Sequence, residues 1–373
     1  MSLRRILIRS TNWLGDAVMT MPAIQRLKQA HPQAQLAILT GPKLADLWRL
    51  HPDASEVIVH EPSNCPFVLL RQARELRRGN FDAAVIFPNS WRSALSVWLA
   101  GIPRRVGFRG HARAWMLTDA LEESSDYRTR PVMSEGEIRK LGAAKSGASS
   151  QLAVDIHSQA GSLRHAAPGF RHHAFRHLEL AARVGADATP CPPRLQLGPL
   201  PPNACLPKDR PLLALNAGAE YGPAKRWPLD RFIAAAKMMA ERRRVRWVII
   251  GGPKDADLGD QIAAALGGQH ALNLAGQTTL LGLCHVLSQC RLLLTNDSGP
   301  MHLAAALGKP VVAIFGSTEP ALTGPGGPRH VVLRHAPPCS PCFLRECPID
   351  FRCMTAITVE EVVKATERVF SSQ

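Results

Sequence analysis

The sequence is short of acidic and aromatic residues. Thirty Asp and Glu stand against 45 Lys and Arg, giving a formal charge of +15 and a pI near 9.9. An imbalance of that size calls for an anionic partner: nucleic acid, an acidic membrane surface, or a phosphorylated or carboxylated substrate. Aromatic residues make up 5% of the chain, and its seven tryptophans are spread from Trp13 to Trp247 without clustering. No stacking platform and no recognition helix can be read from that distribution, so nucleic acid is not the expected partner. No segment approaches the roughly 20 apolar residues needed to span a bilayer. The apolar run Ile6 to Ile8 ends at Arg9, Ser10 and Asn12, too short for the apolar core of a signal peptide. The expected location is therefore the cytoplasm, with any membrane contact peripheral. The chain also lacks G-x-G-x-x-G after its first strand-like segment, where Trp13, Leu14 and Gly15 stand instead, which argues against a NAD-dependent oxidoreductase.

What the sequence does contain is alternation. With 373 residues and 46% hydrophobic content, the chain is long enough for two domains with sizeable cores. Arg4 to Arg9 reads as a strand, Asp16 to Ala30 as a helix and Gln35 to Leu39 as the next strand, which together form a βαβ unit. Pro66 to Arg78, Phe81 to Phe87, Trp91 to Ala100 and Arg105 to Phe108 continue the alternation, and helical crossovers imply a parallel sheet. A second series follows the proline-rich stretch Pro190 to Pro211, read as a linker, and Thr358 to Phe370 reads as a final amphipathic helix. The expected fold is α/β with an N-terminal domain over 1–200, a C-terminal domain over 201–355 and a C-terminal helix over 356–373. Residues 134–170 are polar, dotted with glycine and weakly periodic, and read as a flexible insertion in the first domain.

Two turns carry the chemistry. Asn216 to Pro228, NAGAEYGPAKRWP, and Thr295 to His302, TNDSGPMH, each follow a short apolar run and lead into a helix-like pattern. A helix start after a strand presents unpaired N–H groups and a partial positive charge, and Gly218, Gly222 and Gly299 would let a diphosphate approach the backbone. Lys225 adds a cation and Asp297 an acid, a pairing that suits a sugar nucleotide better than a dinucleotide. Asp297 and Ser298 also read as an N-cap pair, a role compatible with ligand binding. Asp16 lies at the mouth of the first helix, where open α/β sheets bind ligands. It reads either as a capping acid or as a general base that removes a proton from an acceptor hydroxyl.

Three segments, NWLGDAVMTMPAI, GAEYGPAKRWP and NDSGPMHLAAALGKPVVAIFG, in this order and spacing, resemble the bacterial lipopolysaccharide heptosyltransferases of glycosyltransferase family nine, closest to the type II enzymes. PAKRWP is the most specific piece, and the resemblance covers roughly Arg4 to Arg113 and Leu212 to Thr318. It implies the GT-B architecture, two facing Rossmann-like domains with a cleft between them, the first for the acceptor and the second for the ADP-sugar. It also implies inverting transfer of L-glycero-D-manno-heptose from ADP-heptose to the heptose of the lipid-anchored inner core, at the anionic cytoplasmic face of the inner membrane and with no catalytic cofactor. Alternatives are a relative that adds a third core heptose or heptosylates a protein, and, from a different class, a basic nucleic-acid-binding protein.

The resemblance also assigns roles. Asp16 would be the catalytic base and Lys225 would neutralise the ADP leaving group. The donor loop Gly218, Ala219 and Glu220 would join Ser298 and Gly299 in holding phosphate, Asp297 would bind donor heptose hydroxyls, and His302 would line the pocket. Asp255 and Thr278 match positions that contact the nucleoside. Asn12, Trp13, Arg104, Arg105, Arg109 and Arg113 would face the acceptor, whose carboxylates and phosphates suit arginine forks; the same arginines also read as an ordinary solvated face.

Cys339, Cys342, Cys347 and Cys353, spaced C-x2-C-x4-C-x5-C, are compact enough to be a candidate structural zinc or iron site, although the spacing is not that of a standard finger and a metal-free loop is equally consistent. Cys65, Cys191, Cys205, Cys284 and Cys290 read as packing residues. The histidines of Arg171 to His177, RHHAFRH, read as a solvated helix face.

Overall fold

The computed structural model describes residues 3–143 and 171–372, except 62, 64, 128, 130, 202, 203, 205 and 328. Two compact units emerge, one comprising 1–127 with 171–198, the other 128–170 with 199–373.

The first unit is built on strands β1 (Arg5–Arg9), β2 (Gln35–Thr40), β3 (Glu56–Val59), β4 (Ala83–Ile86), β5 (Arg104–Phe108) and β6 (Asp119–Leu121). All pair in parallel, in the order β3-β2-β1-β4-β5-β6. Helices α1 (Leu14–Ala30), α2 (Ala45–Arg49), α3 (Pro66–Arg78) and α4 (Trp91–Leu99) connect them. Helix α5 (Glu135–Ala143) follows in the chain but groups with the second unit, and α6 (His173–Ala182) returns to the first, packing on α1. Cover on both faces explains why the strands read as near-continuous apolar runs such as ILI and LAIL. The β1–α1–β2 crossover moves in the opposite direction along the sheet from β3–α3–β4 and β4–α4–β5. Right-handed crossovers therefore put α1 and the α3–α4 layer on opposite faces.

The second unit repeats the plan. Its strands β7 (Leu212–Asn216), β8 (Arg246–Ile249), β9 (Ala271–Asn273), β10 (Leu293–Asn296), β11 (Val311–Phe315) and β12 (Val331–Arg334) form a parallel sheet in the order β12-β11-β10-β7-β8-β9. Its helices are α7 (Leu229–Arg243), α8 (Ala256–Leu266), α9 (Leu280–Gln289), α10 (Gly299–Ala306), α11 (Pro320–Thr323), α12 (Arg352–Thr355) and α13 (Val359–Ser371). One core joins Leu213, Trp227, Phe232, Trp247, Ile314 and Val363, so α13, which packs along α7, is part of this domain and not a separate appendage.

Each sheet has one place where chain order reverses: between β1 and β4 in the first, between β7 and β10 in the second. Open α/β sheets bind ligands outside the carboxyl ends of the strands at such points. The turns after β1, β7 and β10 are the three that hold Asp16, Lys225 and Asp297.

The stretch expected to be a flexible insertion divides. Residues 135–143 form α5, with Ile138 buried and Gly142 close against Ile349, while 144–170 lie outside the described residues. The start of the proposed linker is likewise docked: Arg26 Nε donates to the Thr189 carbonyl at 2.7 Å and Gln25 Nε2 to the Pro192 carbonyl at 3.1 Å, tying this segment to α1.

Candidate active site

Strands β7 and β10 are neighbours and both end in asparagine. The buried Asn216 amide donates to Thr295 Oγ1 and to Ser298 Oγ, each at 3.0 Å. Asn296 accepts from the Trp227 N–H at 2.9 Å and donates to the Ala217 carbonyl at 2.8 Å. The two turns are thus laced by amide side chains that leave little room for either to move alone. Ser298 occupies the N-cap of α10 but makes no side-chain cap bond, because its hydroxyl is engaged by Asn216 and Thr295. The expected Asp297–Ser298 side-chain cap is therefore absent at this helix start.

Asp297 instead turns to Lys225. Its Oδ2 accepts from Lys225 Nζ at 2.6 Å and from Thr318 Oγ1 at 2.7 Å, with the Asp297 side chain 5% and the Lys225 side chain 15% exposed. Lys225 Nζ also sits 4.9 Å from the centre of the Tyr221 ring, whose hydroxyl donates to the Phe343 carbonyl at 2.6 Å. Arg345 lies 5.2 Å from the same ring. The result is an ammonium held in place by an acid and an aromatic face, available to share its charge with an incoming phosphate.

Gly218 shows why the turn after β7 needs glycine: a Cβ there would come within 2.4 Å of the Asp255 carboxylate. Asp255, in the turn after β8, accepts from the Gly252 N–H at 3.0 Å and lies 3.8 Å from Arg226. Structure thus brings Gly218 and Asp255 together. Ala219 is buried, whereas Glu220 is exposed and paired to Lys254 at 3.3 Å. His302 is buried in α10. Thr278 is half-buried just before α9, where its neighbour Thr279 takes the N-cap role and accepts from the Gly282 N–H at 3.1 Å.

In the first unit, α1 begins two residues earlier than its pattern suggests. Trp13 is the N-cap, without a side-chain cap bond, and half-buried Asp16 falls in the first turn. Asn12 and Trp13 are exposed. The four arginines expected to form one acceptor face do not. Arg113 is fully buried: its guanidinium donates to the Phe108 carbonyl at 2.9 Å, the Pro88 carbonyl at 2.6 Å and Ser93 Oγ at 3.1 Å, and burial lowers its pKa to about 10. A side chain so committed bolts β5 to the turn after β4 and does not reach an acceptor. Arg104 pairs with Asp119 at 3.2 Å and Arg105 donates to the Met116 carbonyl at 2.6 Å, so both are largely engaged in the fold. Arg109, held by exposed Glu122 at 2.7 Å, faces solvent.

Two other expectations are corrected. The RHHAFRH histidines are not a solvated face. His172 is buried and caps α6 by accepting from the Ala174 N–H at 3.2 Å, and His177 is buried with its ring 5.0 Å from that of Phe87. Among the scattered cysteines, Cys284 and Cys290 are buried, but Cys65 is exposed, and Cys205 lies outside the described residues. The four clustered cysteines do converge: all line one cavity of about 20 Å³ together with Ser317, Ser340 and Arg352. Burial raises their thiols where a shift is resolved, Cys353 to about 12. Among the described residues no group of three or more His, Cys, Asp or Glu is arranged to hold a metal ion.

Sequence reading missed Asn216, Asn296, Thr318, Tyr221 and Arg345. Paired asparagines at strand ends were the available signal for the first two. Thr318 and Arg345 are brought in by distant loops and left no local mark.

The sequence pattern of glycosyltransferase family 9 (heptosyltransferase) matches residues 69–351. The lipooligosaccharide heptosyltransferase 2 of Haemophilus ducreyi is 30% identical over 337 residues, 88% of each chain, and the lipopolysaccharide heptosyltransferase 2 of Salmonella typhimurium is 30% identical over 336 residues, again 88% of each. The structure of E. coli ADP-heptose LPS heptosyltransferase II superposes with a TM-score of 0.76 at 26% identity, covering 99% of both chains. Among the described residues no helix is long and apolar enough to cross a membrane. With the sheet order, the switch-point turns and these similarities in agreement, the chain belongs to glycosyltransferase family 9, the heptosyltransferases, and is an α/β enzyme of the GT-B class.

Proposed function

We propose that this glycosyltransferase moves L-glycero-D-manno-heptose from ADP-heptose to the heptose of the lipopolysaccharide inner core, with inversion, at the cytoplasmic face of the inner membrane. The observation that carries the reading is the Lys225–Asp297 pair, set where two laced turns leave the second sheet at its switch point. Family membership and the relatives' heptosyltransferase 2 names support the donor and the acceptor class.

In this mechanism Asp16 takes the proton of the acceptor hydroxyl as its oxygen attacks the anomeric carbon, and the bond from that carbon to the ADP phosphate oxygen breaks. Lys225 offsets the charge growing on the departing diphosphate, and backbone N–H groups at Ser298 and Gly299 face the same phosphates. Asp297 is already bonded to Lys225 and Thr318, so it fixes the ammonium while its remaining oxygen binds a donor hydroxyl. Asp255 and Thr278 flank the nucleoside, with Gly218, Ala219, Glu220 and His302 completing the donor pocket. Asn12, Trp13 and Arg109 face the acceptor; Arg104 and Arg105 add positive charge from behind.

The test is incubation of the purified protein with ADP-heptose and an inner-core acceptor carrying a single heptose. The expected result is release of ADP and a mass gain of one heptose. Asp16→Asn should slow transfer by about 10²–10⁴-fold, the usual contribution of a general base, with ADP binding retained. Transfer only to a core that already bears two heptoses, or only to a protein, would replace the acceptor assignment, and an unchanged rate in Asp16→Asn would remove it as the base.

A further inference from the structure

We propose that the outer face of the α3–α4 layer is a docking surface for an anionic lipid bilayer. This deepens the reading above, supplying the surface by which the enzyme would reach a lipid-linked acceptor.

Two helices and one turn build the face. On α3, Phe67 is 82% and Leu70 43% exposed, and the exposed Arg71, Arg74 and Arg78 continue the same stripe at helical spacing. On α4, Trp91 is 41% and Trp98 39% exposed, seven residues apart and hence on one side of the helix, with exposed Arg92 beside them. From the turn after β5, Trp115, 59% exposed, meets Trp98 edge-on at 5.1 Å. The inner sides of both helices are already spent on the core around Leu76, Ala94 and Val97, so the outward aromatics are not unfinished packing.

Its chemistry selects the partner. Water-facing helices are ordinarily covered by mixed charge, but α3 and α4 carry five arginines, no lysine and one acid, Glu75, which is drawn aside by His60 at 3.1 Å. Indole rings have an apolar body and a polar N–H and settle at the headgroup level of a bilayer. An apolar stripe edged by arginines is the pattern of a surface that lies in the interface and is drawn to acidic headgroups. A second copy of the chain fits less well, because a two-fold contact through this face would set one arginine stripe against another.

Co-sedimentation with vesicles of phosphatidylethanolamine and phosphatidylglycerol, against phosphatidylcholine alone, tests the proposal. Wild-type protein should bind the anionic vesicles at least tenfold better than the neutral ones and lose that binding as salt is raised. The double variants Trp98→Ala/Trp115→Ala and Arg71→Glu/Arg74→Glu should each lower binding at least tenfold, with unchanged circular dichroism and full transfer to a water-soluble, delipidated acceptor. Wild-type binding by both variants would overturn the proposal, as would concentration-dependent dimerisation of the wild type that the same substitutions abolish. Vesicle binding that persists while ADP-heptose is not used would leave the docking face standing and sink the donor assignment instead.

Discussion

The turns of the second sheet and the first turn of the first sheet occupy equivalent switch points, yet they are built differently. Around Lys225 and Asp297, a set of buried polar side chains is tied to its surroundings: Asn216 to Ser298, Asn296 to the Trp227 backbone, Asp297 to Thr318. At the β1–α1 turn, Asn12 and Trp13 stand exposed and the helix begins without a side-chain cap. A diphosphate is a small ligand of fixed shape, and a rigid cradle lowers the ordering cost of binding it. A large glycolipid acceptor needs a presented edge with less closure. The difference predicts that substitutions in the second sheet's turns cost both stability and rate, whereas substitution of the exposed Asn12 at the first sheet's turn leaves stability nearly unchanged.

The largest expected effect comes from breaking the pair. Asp297→Ala strands the largely buried Lys225 ammonium and the Thr318 hydroxyl, at a cost of about 3–5 kcal/mol of folding stability. Asn12→Ala, at an exposed position of the first sheet's turn, should change stability by no more than about 0.5 kcal/mol. Urea unfolding of the two variants measures the contrast directly, and equal losses would show that the two turns do not differ in the way described.

A second contrast lies within the first unit, between two arginines four residues apart. Arg113→Met removes the buried guanidinium that bonds the Phe108 and Pro88 carbonyls and Ser93 Oγ, leaving Pro88 only its bond from Ser93 Oγ at 3.2 Å, and should cost about 2–4 kcal/mol. Arg109→Ala breaks an exposed pair with Glu122 and should change stability by no more than about 0.5 kcal/mol while raising the acceptor KM several-fold. Thermal unfolding together with acceptor titration separates the two, and an Arg109→Ala enzyme with unaltered acceptor KM would leave the arginine row with no part in recognition.

The arginines also show where sequence reading stops. Strands such as ILI and VVAI and the glycine-bearing turns after them were legible because backbone burial and phosphate approach leave local marks. The strand–helix alternation of both halves and the turns that carry Lys225 and Asp297 follow from those marks; the strand orders and the direct Lys225–Asp297 bond became visible only in the structure. Of the four arginines it is Arg113 that turns inward, to the carbonyls of Pro88 and Phe108, and nothing in GIPRRVGFRGHAR records that the fold brings those carbonyls within its reach. The buried RHHAFRH histidines escaped for the same reason: their polarity suggested water, but α6 needed His172 as a cap and His177 as filling beside Phe87. Thr318 and Arg345 join the site through distant loops.

Those histidines give the comparison a further edge in acid. Burial holds imidazoles neutral in both units: His51 is lowered to about 4, and His60 and His177 are also lowered, in the first, while His330 is lowered to about 4 in the second. For each, the folded pKa lies below the unfolded value of 6.5, so between these values the unfolded chain binds more protons and folding stability falls as pH falls. The contribution is complete above about pH 6.5 and, for His51 and His330, is lost as pH drops toward 4, at up to about 1.4 kcal/mol per pH unit for each group. With three such groups against one, the first unit should lose stability more steeply between pH 6.5 and 4. His51→Gln should flatten its slope by up to one proton, since among the described residues the buried His51 Nε2 has no hydrogen-bond partner and its Nδ1 already accepts from the Asp53 N–H at 3.2 Å. Denaturant titrations across this range, followed by hydrogen exchange of the β1 and β7 amides, would resolve the two units, and equal slopes would mean that the buried imidazoles of the first unit do not govern its acid sensitivity.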